Sequence, residues 1–394
     1  MFFSNLNKLT VRIQSFHYID REENWEIEQI SFKNLTLLVG ASGVGKTRIL
    51  QSISNMQRIA KGIPMNGVEW KMEFSIENDN YTWEGRFELR EKGFLNIISD
   101  DDDENNSIQK PNLLFEKITV NNTLIVNKED TILNYRGEIS NLPLSSEQSA
   151  LVLFNKDPFI KNAQKEFKKI LFSDYTDSAK GMHKVRAMDD KVLTQYKTLD
   201  DIRNSEEELL TKFYWIFKKN KKTFKQVKED FIQVFPQVEN LKIEPLEIFK
   251  NANVPISLRL TPFIQFKEKD MNDWIPIMGM SAGMYRSLIH IIELYLSADG
   301  TIILVDEFEN SLGVNCIDEL TNEIKAASNR IQFIITSHHP YIINSISYND
   351  WKIVTRKAGK VFTQNVTDFN FHKSKHDAFL QLINLPEYKT GIKA

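Results

Sequence analysis

The chain has 394 residues, with 50 Lys and Arg residues against 53 Asp and Glu residues, so its formal net charge is −3. Apolar residues make up 41% of the chain, which is typical of a globular protein. The near-zero net charge gives no sign of wholesale nucleic-acid binding. The single cysteine, Cys316, excludes an internal disulfide and a zinc site built on cysteines. No apolar run approaches the roughly 20 residues that span a bilayer, and the first residues do not read as a signal peptide. We therefore expect a cytoplasmic protein without membrane contact.

The N-terminal part of the chain combines a buried strand, a helix and an antiparallel β lobe. The apolar run 35–39 ends directly in a glycine, as a central strand does, and residues 47–61 follow a helical period. From residue 68 to residue 137 the period is two, and Asn121–Asn122 predicts a tight turn between two of the strands.

The remainder of the chain is first helical and then alternates. Residues 160–235 are polar and helical in character, without the apolar heptads of a coiled coil. Strand character returns at 241–266, which includes Ile256, Leu258 and Leu260. The elements that follow are a helix at 284–297, a strand at 301–305, a helix at 314–328, a strand at 331–335, a helix from about 340 and a strand at 351–355. This alternation predicts a mostly parallel sheet covered by helices.

A glycine-rich loop carries the strongest chemical signal. Residues 40–47 read GASGVGKT, which fits the phosphate-loop pattern G-x-x-x-x-G-K-[ST] between an apolar strand and a helix. Glycines let successive backbone N–H groups converge on phosphate oxygens, Lys46 reaches the β- and γ-phosphates, and the Thr47 hydroxyl binds Mg²⁺. The predicted ligands are ATP and Mg²⁺, and the predicted binding residues are Gly40, Ser42, Gly43, Gly45, Lys46 and Thr47. A turn that binds nothing is the alternative.

Two carboxylates follow the apolar strand at 301–305. Asp306 and Glu307 stand at its C-terminal end, where ligands of α/β sheets bind. We expect Asp306 to hold the Mg²⁺ shell and Glu307 to polarise the attacking water as general base. Two acids in this position also occur at an ordinary loop start, but the phosphate loop upstream favours the catalytic interpretation.

Two further segments bear on the kind of nucleotide hydrolase. Ser281 and Gly283 precede a predicted helix, whose N-terminus is an anion-binding position. His338 and His339 follow the strand at 331–335. Adjacent residues on a strand point to opposite faces, which argues against a metal ion shared by the two histidines.

The order of these motifs resembles that of the ABC-type ATPases, the superfamily of transporter ATPases, SMC proteins and OLD-like ATPases. The resemblance implies an α/β fold, namely an ABC-type ATPase head with a mostly parallel P-loop sheet, an antiparallel β lobe and a helical lobe. It implies that Ser281 and Gly283 contact the γ-phosphate of a nucleotide held by another subunit, and that His338 senses the γ-phosphate. It also implies a glutamine that binds nucleotide and Mg²⁺, for which Gln148 is the candidate.

The segments DEFENSLG and TSHHPYIIN, the β lobe and the compact length resemble the AAA/ABC-hybrid ATPases of bacterial antiphage systems, of the PARIS or of the Septu and retron-associated type. This resemblance implies a Mg²⁺-dependent ATPase that dimerises head to head around ATP, as a homodimer or higher homo-oligomer. It would sense a phage-encoded trigger and hold or release a separate effector, a nuclease. We expect the head to comprise 1–155 and 251–394, and the helical lobe to comprise 156–250.

Other functions stay open from the sequence. The first is an SMC-like DNA-repair or chromosome-maintenance ATPase, which the missing heptads disfavour. The segment Lys218–Lys222, interleaved with aromatic residues, is a candidate nucleic-acid contact, although such runs also form solvated helix faces or dock acidic proteins. A transporter motor subunit would need a permease and a shorter β lobe. A module that binds ATP without hydrolysis is the last alternative.

Overall fold

The computed structural model describes residues 11–91, 110–129, 132–140, 146–173, 190–250, 253–310, 312–369 and 375–393. The strands are β1 (Val11–Asp20), β2 (Trp25–Ser31), β3 (Leu35–Val39), β4 (Val68–Ile76), β5 (Asp79–Phe87), β6 (Leu113–Val120), β7 (Thr123–Glu129), β8 (Ile132–Tyr135), β9 (Glu138–Ser140), β10 (Ile170–Ser173), β11 (Val238–Pro245), β12 (Pro262–Glu268), β13 (Ile275–Pro276), β14 (Ile302–Val305), β15 (Gln332–Thr336), β16 (Trp351–Lys357) and β17 (Lys360–Asn365). The helices are α1 (Lys46–Ala60), α2 (Ala150–Leu153), α3 (Pro158–Phe167), α4 (Asp190–Gln195), α5 (Leu199–Arg203), α6 (Leu209–Lys219), α7 (Lys221–Val234), α8 (Glu247–Lys250), α9 (Ile256–Leu260), α10 (Ala282–Leu296), α11 (Val314–Ala327), α12 (Pro340–Ser345), α13 (Lys375–Asn384) and α14 (Pro386–Thr390).

The chain folds into two compact units. The first unit consists of Met1–Phe172, Gly300–Asp306 and Ser328–Ala394, and the second consists of Ser173–Asp299 and Glu307–Ala327. The residues after 251 therefore contribute to both units, and the chain passes from the first unit to the second between two consecutive acidic residues.

One large sheet organises the first unit. Within the described residues, fourteen strands form this sheet in the order β10-β14-β15-β3-β16-β17-β2-β1-β4-β5-β6-β7-β8-β9. β14, β15, β3 and β16 are parallel, whereas the pairs from β2 through β1 and β4 to β9 are antiparallel. β17 joins the two parts, because it pairs antiparallel with β16 and parallel with β2. The predicted parallel sheet and antiparallel lobe are thus sections of one continuous α/β sheet.

The centre of this sheet is apolar throughout. Every residue of β3 is buried, because the strand lies between β15 and β16. α1 follows and buries Ile49, Leu50, Ile53 and Met56, whose spacing is that of one helical face. These side chains share a buried cluster with Leu38 of β3. The predicted strand and helix around the glycine-rich loop are therefore confirmed.

Aromatic pairs hold the antiparallel lobe together. Trp70 and Trp83 meet edge to face with ring centroids 5.3 Å apart, and Phe74 stacks on Tyr81 at 5.0 Å. Phe167 at the end of α3 lies 5.1 Å from both Phe74 and Trp83. Each such pair adds roughly 1 kcal/mol beyond the burial of its area. α3 is therefore fixed on the face of β4 and β5.

The turns and helix boundaries test the local predictions. Asn121 and Asn122 have φ angles of 50° and 63°, as a two-residue hairpin turn requires, so the predicted turn is confirmed. The strand expected across residues 256–260 is wrong, since this stretch forms α9. Ile256 and Leu260 are 73% and 66% exposed, so the alternating apolar residues of this stretch do not line a buried strand face.

The second unit is built around α10. Within it, α10 contacts α6, α7 and α11, and β11, β12 and β13 form a separate sheet. Nearly every side chain of α10 from Met284 to Leu294 is buried, as in a helix surrounded by other elements. In the described part of the chain, no helix has the length and apolar character needed to cross a bilayer.

Candidate nucleotide-binding site

Three strand ends meet at one edge of the parallel section. Val305 of β14 pairs with Ile335 of β15, and Thr336 of β15 pairs with Leu38 of β3. The carboxyl ends of parallel strands lie on one side, which is where α/β sheets bind ligands. The residues that follow these ends are therefore neighbours: the loop from Gly40, the Asp306 carboxylate, and the segment 337–339.

The glycines of the loop are needed for two different reasons. Gly40, Gly43 and Gly45 have φ angles of 150°, 78° and 104°, a range that side chains disfavour. A Cβ at Gly40 would lie 2.5 Å from the Val354 carbonyl oxygen, and one at Gly45 would lie 2.7 Å from a methyl of Val361. At Gly43 no atom lies within 4 Å of such a Cβ, so only the backbone angle requires glycine. Ser42, beside it, is exposed.

Lys46 and Thr47 are held by hydrogen bonds at the start of α1. Lys46 Nζ donates to the carbonyl oxygens of Gly40 and Ala41, each at 2.9 Å. The Thr47 hydroxyl donates to Asp306 Oδ2 at 2.7 Å. The structure therefore brings the loop and the predicted Mg²⁺ carboxylate together, although 259 positions separate Thr47 from Asp306.

Asp306 has a second partner that the sequence analysis missed. The Thr336 hydroxyl donates to Asp306 Oδ1 at 2.6 Å, so one carboxylate oxygen accepts a hydrogen bond from the end of β15 and the other accepts one from the first turn of α1. Thr336 is the last residue of a fully buried strand and follows three apolar residues, Phe333–Ile335. A polar residue in that position was the signal that could have revealed it.

The donor set at this edge suits magnesium. Among the described residues, no group of three or more His, Cys, Asp and Glu side chains could hold a metal ion by itself. Mg²⁺ is usually bound through one or two carboxylates together with the phosphates of a nucleotide. The Thr47 hydroxyl and the Asp306 carboxylate supply the protein part of such a set.

His338 lies beyond the same strand end. It is exposed, and the preceding Ser337 is buried, with its backbone N–H donating to the Leu38 carbonyl at 3.4 Å. His339 has a different task, because it caps α12 by accepting from the Tyr341 N–H at Nδ1, at 3.3 Å. The two histidines therefore belong to a turn and a helix cap rather than to a continuing strand.

Gln148 belongs to a segment that lies near the C-terminal end of α1. Val152, shortly after it, would lie 3.3 Å from a Cβ at Gly62, which follows the C-terminal end of α1. Lys46 begins the other end of this 15-residue helix, about 22 Å away at 1.5 Å per residue. The assignment of Gln148 to the nucleotide and Mg²⁺ stays a prediction.

A buried carboxylate fixes the segment around Gln148 to the antiparallel lobe. Glu116 of β6 accepts hydrogen bonds from the Trp83 indole at 2.8 Å, the Ser149 hydroxyl at 2.5 Å and the Ala150 N–H at 2.5 Å. Lys128 donates to the Gln148 carbonyl oxygen at 3.3 Å. The pKa of Glu116 is raised because the carboxyl group is buried, and the hydrogen bonds that it accepts offset only part of this rise. These bonds anchor the segment that carries Gln148 to the antiparallel lobe.

Ser281, Gly283 and Glu307 belong to the second unit. Ser281 is exposed and caps α10, since its hydroxyl accepts from the Met284 N–H at 3.2 Å. Gly283 lies inside the first turn, because the helix begins at Ala282 rather than at 284. The predicted boundary was therefore two residues late.

Glu307 is held in an unusual backbone conformation. Its φ angle is 45°, a left-handed conformation that is uncommon for residues other than glycine. Arg286 of α10, which is only 3% exposed, donates from Nη2 to the Glu307 carbonyl oxygen at 3.1 Å. The next residue, Phe308, is fully buried, and its ring lies 5.6 Å from the His290 ring. The helix that Ser281 caps therefore also holds the backbone of the predicted general base.

A distant glycine supports the phosphate loop in the first unit. Gly391 follows α14 with a φ angle of 68°, and a Cβ there would lie 2.3 Å from a methyl of Val44 and 3.1 Å from the Ala41 Cβ. The Arg356 N–H donates to its carbonyl oxygen at 2.7 Å, which attaches this segment to β16. Neither contact has a local sequence signal, because the partners are far apart in the chain.

The architecture is that of a known class of ATPase head. The Smc head in its complex with the C-terminal winged-helix domain of ScpA is similar over 89% of this chain and 97% of that one, with a TM-score of 0.50 and 15% identity. At this identity the likeness concerns the fold alone. The chain is thus an α/β protein with the fold of an SMC/ABC-type ATPase head.

The family follows from the sequence itself. The chain belongs to the family described as "AAA domain, putative AbiEii toxin, Type IV TA system", whose pattern matches residues 35–344. The Retron Ec83 probable ATPase of Escherichia coli is 28% identical to the chain over 163 residues. That match covers 40% of this chain and only 29% of the relative. The chain is therefore an AAA/ABC-type P-loop ATPase domain with a retron-related relative.

Replacing Gly391 by alanine should weaken nucleotide binding. The added Cβ collides with Val44 in the loop, and overpacking of this kind costs about 1 to 3 kcal/mol, which corresponds to a roughly tenfold rise in Kd if the loop yields. Calorimetric titration with Mg-ATP measures the change. Gly137→Ala is the control, because Gly137 has a φ angle of 89° but open space around it. Equal Kd values for the two variants would show that the contact does not support the loop.

Proposed function

We propose that this chain is a Mg²⁺-dependent ATPase of a bacterial antiphage defence system. Two heads join around two ATP molecules, and the nucleotide cycle holds or releases a separate effector, a nuclease, in response to a phage-encoded trigger. The observation that supports ATP hydrolysis most directly is the pair of hydrogen bonds that Asp306 accepts from Thr47 and Thr336.

The loop is arranged for a triphosphate. The Thr47 hydroxyl and the Asp306 carboxylate would hold the Mg²⁺ ion, which supplies charge neutralisation at the phosphates when bound. Gly40, Ser42, Gly43 and Gly45 give the loop its wrapped backbone, whose N–H groups and helix terminus favour an anion.

Lys46 donates hydrogen bonds within the loop itself. Its ammonium group satisfies two carbonyl oxygens of the loop, at Gly40 and Ala41. Turning to the β- and γ-phosphates exchanges neutral acceptors for charged ones, and charge-assisted hydrogen bonds are roughly twice as strong as neutral ones. Lys46 therefore exchanges its hydrogen bonds to the loop for stronger ones to the phosphates when ATP binds.

Glu307 acts as general base on the attacking water. It follows Asp306 directly, so the residue that holds the Mg²⁺ shell and the residue that polarises water are adjacent in the chain. Arg286 fixes the Glu307 carbonyl and acts as a positioning residue. His338, exposed after β15, senses the γ-phosphate.

Ser281 and Gly283 serve the partner head. Ser281 is exposed at the N-terminus of α10, so its hydroxyl and the first N–H groups of the helix are accessible to an anion. A nucleotide held between two heads closes the pair, and loss of the γ-phosphate contacts opens it.

The defence role is supported by the relatives. The family description names a putative AbiEii toxin of a type IV toxin–antitoxin system, and the curated relative is a probable ATPase of a retron. An SMC-like role in chromosome maintenance is the second candidate, and the fold of the Smc head favours it. Among the described helices, none exceeds fifteen residues, far short of an SMC arm.

Glu307→Gln should bind ATP with unchanged affinity and hydrolyse it about 10²- to 10⁴-fold more slowly, because general-base catalysis contributes that factor. Lys46→Ala should lose binding instead. Phosphate release and calorimetric binding distinguish the two effects. Hydrolysis by Glu307→Gln at the wild-type rate would show that another group activates the water.

Arg286→Met should lower kcat about ten- to hundredfold while leaving the Kd for ATP unchanged, because a misplaced catalytic group costs factors of this size. Arg203→Met is the matched control: Arg203 also donates to a backbone carbonyl, that of Tyr295, at 2.8 Å in the same unit. Arg286 is buried and Arg203 is half-buried, and each variant loses one arginine that donates to a carbonyl oxygen. If both variants had a similar kcat, Arg286 would have a structural role only and would not position Glu307.

The stalled Glu307→Gln protein should retain its effector when isolated from its native cell with Mg-ATP. Lys46→Ala, which cannot be loaded, is the control for capture. Mass spectrometry identifies the bound chains. Stoichiometric recovery of a nuclease supports the defence proposal, whereas recovery of chromosome-maintenance proteins in its place would favour the second candidate.

A further inference from the structure

The turn between α6 and α7 carries a concentrated positive charge. Residues 209–228 contain seven lysines and no Asp or Glu, in a chain whose net charge is −3. Lys212 donates to the Arg203 carbonyl at 2.9 Å, and burial lowers its pKa to about 8. Lys228 donates to the Asn240 side chain at 3.1 Å. The other five are all exposed and define the basic tip: Lys218, Lys219, Lys221, Lys222 and Lys225.

The basic tip places cations where the helix disfavours them. Asn220 ends α6 and caps α7, because its side chain accepts from the Thr223 N–H at 3.1 Å. Lys221 and Lys222 therefore occupy the first turn of α7, which contains no acidic residue. Lys221 also donates to the Phe217 carbonyl oxygen, and Lys225 pairs with Glu229 at 3.4 Å. Because the N-terminus of a helix is itself partially positive, both the lysines and the helix terminus attract an anion.

Two half-buried rings lie beside these lysines. Tyr214 and Phe217 have ring centroids 6.4 Å apart with planes inclined by 28°. Lys218 Nζ lies 5.4 Å and 5.3 Å from the two centroids, and Lys221 Nζ lies 4.2 Å from that of Phe217. Phe224 of α7 supports Phe217 edge-on at 5.0 Å. The ammonium groups thus lie on the ring faces. If they moved to an anionic ligand, these faces would become accessible.

We propose that the basic tip, together with Tyr214 and Phe217, binds single-stranded nucleic acid. Phosphates draw the lysines away from the rings, and unpaired bases stack on the surfaces that become available. An acidic protein would bind the lysines, but exposed bases stack on aromatic ring faces, so the adjacent rings favour a nucleic acid. A duplex conceals its base faces, so the rings favour a single strand.

The test is binding of a fluorescein-labelled 20-nucleotide oligothymidine to the full chain without nucleotide, followed by anisotropy at 50 to 200 mM NaCl. About four lysine–phosphate contacts predict a roughly 50-fold rise in Kd over this range. The double variant Lys218→Glu and Lys222→Glu should weaken binding at least about tenfold and reduce the salt dependence by roughly half. Lys161→Glu with Lys165→Glu, two exposed lysines of α3, makes the same change in net charge and should bind as the wild type does.

Phe217→Leu separates stacking from charge. It retains an apolar side chain against Phe224 and should lose about tenfold in affinity with the salt dependence unchanged. Equal binding by the tip variant and the α3 control would overturn the site. Two outcomes would overturn the choice of ligand, each together with unchanged binding by Phe217→Leu. One is a matched duplex that binds as tightly as the single strand, and the other is displacement of the oligonucleotide by polyglutamate at equal charge. Thermal melting confirms that each variant is folded.

Discussion

The two hydrogen bonds to the Asp306 carboxylate organise the edge of the sheet on which the phosphate loop stands. One connects β14 to the first turn of α1 through Thr47, and the other connects it to the end of β15 through Thr336. Hydrogen bonds to charged groups contribute about 1.5 to 3 kcal/mol each. They are possible only because the parallel register brings three strand ends level, so the arrangement of the loop region depends on strand pairing as much as on the loop itself.

Positive φ angles occur in the phosphate loop and at Glu307, as well as elsewhere in the described chain. The loop places three glycines at positive φ, two of them where a side chain would collide with β16 or β17. Glu307 adopts a positive φ as well, which costs roughly 1 to 2 kcal/mol for a residue with a side chain. Arg286 and the buried Phe308 ring hold it there. Strain that neighbouring contacts maintain at such positions is what a preorganised site requires.

Local signals in the sequence were sufficient for the loop, the strand before it, the helix after it and the Asn121–Asn122 turn, because each depends on a few adjacent residues. The position of Gln148 was not predictable, since it is set by the bonds that Glu116 makes across the lobe. The support of the loop by Gly391 joins residues more than 300 positions apart. The strand predicted at 256–260 is wrong for a different reason: Ile256 and Leu260 are largely exposed, so their spacing does not reflect a buried face.

The net charge of this chain does not describe the local electrostatic potential at the basic tip. The five lysines of the basic tip fall within eight consecutive residues, 218–225, and act on a ligand as one group. At physiological ionic strength, charges farther away than about 8 Å are largely screened, so most of the acidic residues do not cancel this local field. A polyanion that approaches the turn between α6 and α7 therefore meets a positive surface, although the whole protein is slightly negative. The composition excludes a uniformly basic protein, but a compact basic surface of this kind is compatible with a net charge near zero.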